Sequence, residues 1–244
     1  MKNGIYFNLP EDDYHAIERL SASGMKNIII SVPTFWAQSW MNKDKPEDDG
    51  DKEHLILGRA YHTAIFEPEK MNARFAGKPN LDGIKGLLTT DTQVKSHLKA
   101  LGLPQSKSGE SAYDRAGRLF DAGCEVPMKA LIMEKFEDEL NGRQAIKSGH
   151  WAQILQDIDR IAENPEVQEL VSRGSAEVTI LWTCPETGID MKARIDKLAS
   201  DRFVDLKSFA NANGKPVNQA IIDQVQYNRY YLSMRNYQHA IAAI

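Results

Sequence analysis

The spacing of apolar residues changes twice along the chain, and those changes divide it into elements. "LPEDDYHAIERL" has an acidic first turn and apolar residues at helical spacing, which predicts a short helix. In "SASGMKNIIISVPTFWAQSW" either Ser21 or Ser23 can serve as an N-cap, and Pro33 restarts the helix. "KDKPEDDGDKEH" is charged, turn-rich and has almost nothing to bury, so it reads as an exposed loop. "LILGRAYHTAIFEP" predicts a buried helix ending near Pro68, with Gly58 permitting close approach of another backbone.

From about residue 80 to 125 the pattern predicts two short helices around a Lys/Ser/Gly turn. This could be an insertion in the main domain: a surface helical hairpin, or a DNA-gripping unit in which Lys95, Lys99 and Lys107 meet phosphate. "HWAQILQDIDRIAENPEVQELVSRG" predicts a pair of helices broken at "ENPE", where Pro165 suits a first turn. The period then shortens to two. "AEVTILWTC" places Val178, Ile180 and Trp182 on one face and Glu177, Thr179 and Leu181 on the other. "PETG" turns the chain, so "IDMKARIDKLA" returns antiparallel, and "RFVDLKSF" supplies a third strand. "VNQAIIDQVQYNRYYLSMRNYQHA" has the length and periodicity of one long helix. Helices, a β-meander and a closing helix describe an α+β domain, a sheet flanked by helices.

Composition narrows the function without naming it. At 244 residues, the chain can form one domain with a small insertion, and 42% hydrophobic against 26% charged residues is ordinary for a globular protein. No apolar run is long enough to cross a bilayer, and "MKNGIYFNLPEDD" lacks a secretion pattern, so the expectation is a cytoplasmic protein with no membrane partner. Cys124 and Cys184 are too few for a disulfide framework or a four-cysteine cluster. A net charge of -4 argues against coating nucleic acid by bulk electrostatics, which leaves local patches.

The chemistry concentrates in "RID" and "VDLKS". Alternation puts Phe203, Asp205 and Lys207 on one face of the third strand, while Asp196 shares a face with Lys192 and Arg194 on the strand before. Pairing through the short "ASD" connection brings Asp196 and Asp205 together. Two close carboxylates repel unless a cation lies between them, and such oxygen-rich sites suit Mg²⁺ or Mn²⁺. Lys207 would then face the attacking water and the phosphate, an arrangement suited to phosphodiester hydrolysis. A D-x-K alone is more often a polar strand face or an ion pair. Its order after an aspartate, with a glutamate on the first strand and a glutamine-bearing helix afterwards, is what chance rarely supplies.

These segments resemble the PD-(D/E)xK nucleases, with Ile195 where the pattern has proline. Four colinear segments are similar to the phage-type exonucleases related to exonuclease VIII and bacteriophage lambda exonuclease: "LSASGMKNIIISVPTFW", "LGRAYHTAIFEP", "AEVTILWTCPETGIDMKARIDKLA…VDLKS" and "DQVQYNRYYLSM". The resemblance implies a restriction-endonuclease-like core with a central mixed sheet. It implies Asp196, Asp205 and the Leu206 carbonyl as metal ligands, with Lys207 positioning or activating water. His62 would help hold a second metal, and Glu177 would reach a metal through water. A glutamine and a following tyrosine would orient water and phosphate, either Gln224 with Tyr227 or Gln226 with Tyr230. The second pair is favoured because its members, four apart, share one helical face. Related enzymes continue beyond "HAIAAI", which implies a shortened chain or a small family member.

The implied activity is metal-dependent degradation of duplex DNA from an end, in phage-type recombination, by a ring-like trimer or tetramer cooperating with a single-strand annealing protein. An endonuclease or single-strand nuclease would use the same ion site, and a catalytically silent DNA-binding module would keep only the fold. A small-molecule phosphohydrolase lacks support, since no glycine-rich phosphate loop is present.

Overall fold

A computed structural model describes residues 1–45, 52–211 and 213–244. In chain order the elements are β1 (Gly4–Tyr6), α1 (Glu11–Ala16), α2 (Ala22–Ile30), α3 (Val32–Gln38), α4 (Glu53–Phe66), α5 (Met71–Arg74), β2 (Phe75–Gly77), α6 (Asp91–Ala100) and α7 (Ala112–Asp121). There follow α8 (Lys129–Leu140), β3 (Gln144–Ile146), α9 (Ser148–Ala162), α10 (Pro165–Ser172), β4 (Ser175–Thr183), β5 (Asp190–Leu198), β6 (Phe203–Val204), α11 (Val217–Tyr227) and α12 (Tyr230–Ala242). The class is α+β. Two compact units divide the chain, residues 1–68 with 160–244, and residues 69–159. Half of the charged loop expected over residues 43–54, residues 46–51, lies outside the described residues.

The first unit is organised by a four-stranded antiparallel sheet, in the order β1-β4-β5-β6. β4 and β5 pair from Ser175↔Leu198 to Thr183↔Asp190 across the "PETG" turn. Alternation then sorts the side chains. Val178, Ile180, Trp182, Met191, Ala193 and Ile195 pack with Tyr237 and Ala240 of α12 into the core, each large apolar side chain contributing about 1.5–3 kcal/mol by burial. The opposite face carries Thr179, Lys192, Arg194 and Asp196. Lys192 spends its charge locally: Nζ donates to the carbonyls of Tyr14 at 2.9 Å and Ile17 at 2.8 Å, closing the end of α1. Burial lowers its pKa to about 8.

Ser21, rather than Ser23, caps α2 by accepting from the Gly24 N–H, and Ser31 caps α3 ahead of Pro33. Three expectations need correction. Gly58 meets no described atom within 4 Å of where a Cβ would stand; the close approach falls at Gly174 (φ +91°), where a Cβ would strike the Leu198 carbonyl. The third strand is only two residues, because the chain leaves the ladder after Val204. The long final helix is two helices, broken where Arg229 adopts φ 50°. β1 escaped the sequence reading because three residues carry too little periodicity.

In the second unit, α6 and α7 form the two short helices expected around the Lys/Ser/Gly turn. Each opens with a capping box, Thr90 with Gln93 and Ser111 with Asp114. Leu88, Val94, Leu98, Ala116, Leu119 and Met128 make its core. β2 and β3 pair in parallel, and Gly77 leaves room for the Trp151 indole. Neither these short strands nor α8 was anticipated.

Candidate active site

Three elements of the first unit converge on one cluster. α4 supplies His62, β4 supplies Glu177 and β5 supplies Asp196. One ligand atom from each lies within 4.8 Å of the others. His62 Nδ1 is 3.5 Å from Asp196 Oδ2 and 3.7 Å from Glu177 Oε1. The register brings the two carboxylates together: Ala176 pairs with Lys197 and Val178 with Ile195, so Glu177 stands opposite Asp196. Glu177 is not itself in that ladder; its φ of 52° is a left-handed conformation that costs a non-glycine residue about 1–3 kcal/mol. Such strain concentrates at functional sites, where surrounding contacts hold it.

Those contacts are visible. Arg194, two residues before Asp196 and on the same face, donates from Nε to Glu177 Oε2 at 2.6 Å and from a terminal nitrogen to the Leu9 carbonyl at 2.8 Å. This fixes one Glu177 oxygen and leaves the other facing His62. Asp196 Oδ2 accepts the Leu206 N–H at 2.7 Å, which clamps the chain as it leaves β6. Asp196 Oδ1 accepts no hydrogen bond among the described residues.

The clamp presents the D-x-K residues. Asp205, with its side chain 4% exposed, accepts from the Tyr237 hydroxyl through Oδ1 at 3.1 Å and from Lys207 Nζ through Oδ2 at 2.6 Å. Lys207 Nζ also donates to the Leu206 carbonyl at 3.0 Å and lies 4.0 Å from Asp196 Oδ2. The Lys207 ammonium thus rests among the Asp205, Leu206 and Asp196 oxygens expected to hold a cation, so the donor set has the polarity a cation requires. That hard-oxygen set, the partner-free Asp196 Oδ1 and the imidazole beside it fit a divalent ion.

Charge balance in the cluster is uneven. Burial pushes the Asp196 carboxyl up to about 6, and the like charge of Asp205 adds to this despite His62, Lys207 and the Leu206 N–H. Burial alone would lower the pKa of His62, but the Glu177 and Asp196 carboxylates outweigh it and raise the value. For Glu177, burial opposes ionisation, while His62 and Arg194 prevail and hold its pKa below the usual range. Burial, with the Asp205 and Asp196 charges, raises the Tyr237 hydroxyl far above its ordinary pKa, so it stays a donor to Asp205.

The glutamine–tyrosine expectation changes most. Because the helix breaks at Arg229, Gln226 and Tyr230 do not share one helical face. Gln226 is exposed and makes no side-chain hydrogen bond among the described residues, and Tyr227 is 81% exposed. Gln224 Oε1 accepts from Asn228 Nδ2 at 2.8 Å. Tyr230 does reach the cluster: its ring centre lies 5.6 Å from Lys207 Nζ and 5.2 Å from Lys26 Nζ. Tyr237, Arg194 and Lys26 were assigned no role from the sequence. Tyr237 follows Tyr230 by seven positions, two helical turns, which was the available signal.

A family model described as a PDDEXK-like domain of unknown function (DUF3799) matches residues 21–243. No curated protein and no solved structure gives a significant match. Among the described residues, no helix is long and apolar enough to cross a membrane.

Proposed function

The chain belongs to this PDDEXK-like family, and from that premise we propose that it is a divalent-metal-dependent deoxyribonuclease hydrolysing duplex DNA from an end. The observation that carries the reading is the convergence of Asp196, Asp205 and Lys207, held by Leu206, beside His62 and Glu177. Asp196, Asp205 and the Leu206 carbonyl would hold Mg²⁺ or Mn²⁺, with His62 and Glu177 available to a second ion. A bound ion supplies charge neutralisation at the phosphoryl oxygens.

The protein's own residues do the rest. Tyr237 and Arg194 orient Asp205 and Glu177, so ligand oxygens are fixed before substrate arrives. Lys207, 33% exposed at its side chain, donates hydrogen bonds to an attacking water and to the negative charge that builds on the phosphate oxygens. A silent binding module would have no use for buried like charges that raise the Asp196 pKa.

End-directed action, a ring-like oligomer, a single-strand annealing partner and a role in phage-type recombination are supported only by the resemblance of four colinear segments to the phage-type exonucleases. In Mg²⁺ at low salt, linear duplex DNA should be degraded progressively while a covalently closed relaxed circle of the same sequence survives. Nicking of the circle at a comparable rate would make the protein an endonuclease.

A further inference from the structure

Lys26 is a charge in this region that the hydrolytic machinery leaves unused. It sits half-buried on α2, three residues after the exposed Ser23. Among the described residues no carboxylate lies within ion-pair distance of it, and its one directional contact is with the ring of Tyr230, 5.2 Å away. The same ring faces Lys207 at 5.6 Å, so the two ammonium groups are at most about 11 Å apart. Burial, reinforced by the Lys207 and Arg229 charges and opposed by Asp205, lowers the pKa of Lys26. Two cations leaning on one ring repel each other, and a half-buried ammonium with no carboxylate within ion-pair distance is costly. An anion placed between or beside them removes both penalties.

We propose that Lys26 contacts a backbone phosphate of the bound strand, adjacent to the phosphate that faces Lys207, with Tyr230 fixing the spacing of the two ammonium groups. The assignment rests on the nuclease reading. Successive phosphates of one DNA strand advance about 3.4 Å along the helix axis, so a strand cut beside Lys207 carries neighbouring phosphates through this space. Lysine is suited to the role as a point charge on a flexible stem, reading phosphate without reading sequence.

Cleavage kinetics of an end-labelled duplex in Mg²⁺, measured at several salt concentrations, provide the test. Lys26→Ala and Lys26→Met should each raise KM about tenfold while kcat stays within about threefold, and the dependence of log(1/KM) on log salt should become shallower by about one. Lys26→Met keeps the aliphatic stem against Tyr230, so agreement between the two variants separates lost charge from lost packing. Lys26→Arg should restore most of the affinity. If wild type cuts DNA and both uncharged variants keep its KM and salt dependence, the Lys26 assignment is overturned and the nuclease reading stands. The assignment also falls if KM changes only in a variant whose urea midpoint has dropped. A wild-type protein that neither binds nor cuts DNA in Mg²⁺ overturns both readings.

Discussion

The second unit and the first each gather charged side chains, and they treat them in different ways. Between α6 and α7 the acids that bridge the helices have close bases: Asp91 takes Arg115 Nε and Lys95 Nζ, both at 2.7 Å, and Glu110 takes Arg118 Nε at 2.8 Å. Arg115 also approaches Glu110 at 3.6 Å. The guanidinium partners hold both carboxyls below their usual range. Around Asp196 the matching is incomplete: Arg194 pairs with Glu177 and Lys207 with Asp205, both at 2.6 Å, while the nearest cations to Asp196 are His62 at 3.5 Å and Lys207 at 4.0 Å. Carboxylates crowd a buried space, and the Asp196 carboxyl rises to about 6. Matched charge joins two helices; a buried carboxylate left short of a close partner, as Asp196 is, marks a place prepared for something the fold does not itself provide. Lys95, one of three lysines considered for phosphate binding, belongs to the matched set.

Breaking the Asp196 cluster should cost activity first. Lys207→Ala is expected to leave the urea midpoint nearly unchanged and to lower turnover by on the order of a hundredfold or more, the scale of losing one transition-state donor. A loss of only a few-fold would make Lys207 an ordinary ion-pair partner of Asp205.

The same cluster should cost stability when metal-free. Asp196 has a folded pKa raised above its unfolded value, so its contribution is most favourable at low pH and is lost as pH rises through about 6. Asp196→Asn removes that penalty and should stabilise the protein in chelator by about 1–3 kcal/mol at pH 7.5, with the advantage fading toward pH 4. Urea unfolding at several pH values checks this, and equal stability of the two proteins at pH 7.5 would contradict it. Asp91 and Glu110, with lowered pKa values, act with the opposite sign: their support for the second unit is present above the ordinary carboxyl range and is lost as pH falls through the folded values.

Smaller effects sharpen the contrast. Tyr230 meets both ammonium groups through its ring, so Tyr230→Phe should keep most activity while Tyr230→Ala loses about tenfold; the reverse ranking, measured as kcat/KM, would assign the role to the hydroxyl. Arg118→Ala, in the matched cluster, should lower thermal stability slightly and leave cleavage within twofold of wild type.

How much of this was legible beforehand depended on how local each feature is. β4 and β5 were readable because nine-residue alternation fixes both strand and face, and Asp196 and Asp205 follow from that register. The α6–α7 hairpin was readable from its turn residues. The break at Arg229 was not, because a left-handed arginine leaves no composition signal and the apolar period runs on across it. That single backbone conformation separated Gln226 from Tyr230. The left-handed Glu177 was equally hidden, since its cost is met by Arg194, 17 residues away in sequence. Tyr237 read as core, and it is; its hydroxyl also serves Asp205, a double role that only the tertiary fold displays.

The central claim is that the Asp196–Asp205 cluster exists to hold a cation, and calorimetric titration with Mn²⁺ tests it most directly. Wild type should bind saturably, Asp205→Asn should bind at least tenfold more weakly, and Arg118→Ala should match wild type. Equal Mn²⁺ affinity in wild type and Asp205→Asn, or no binding by wild type, would contradict the account.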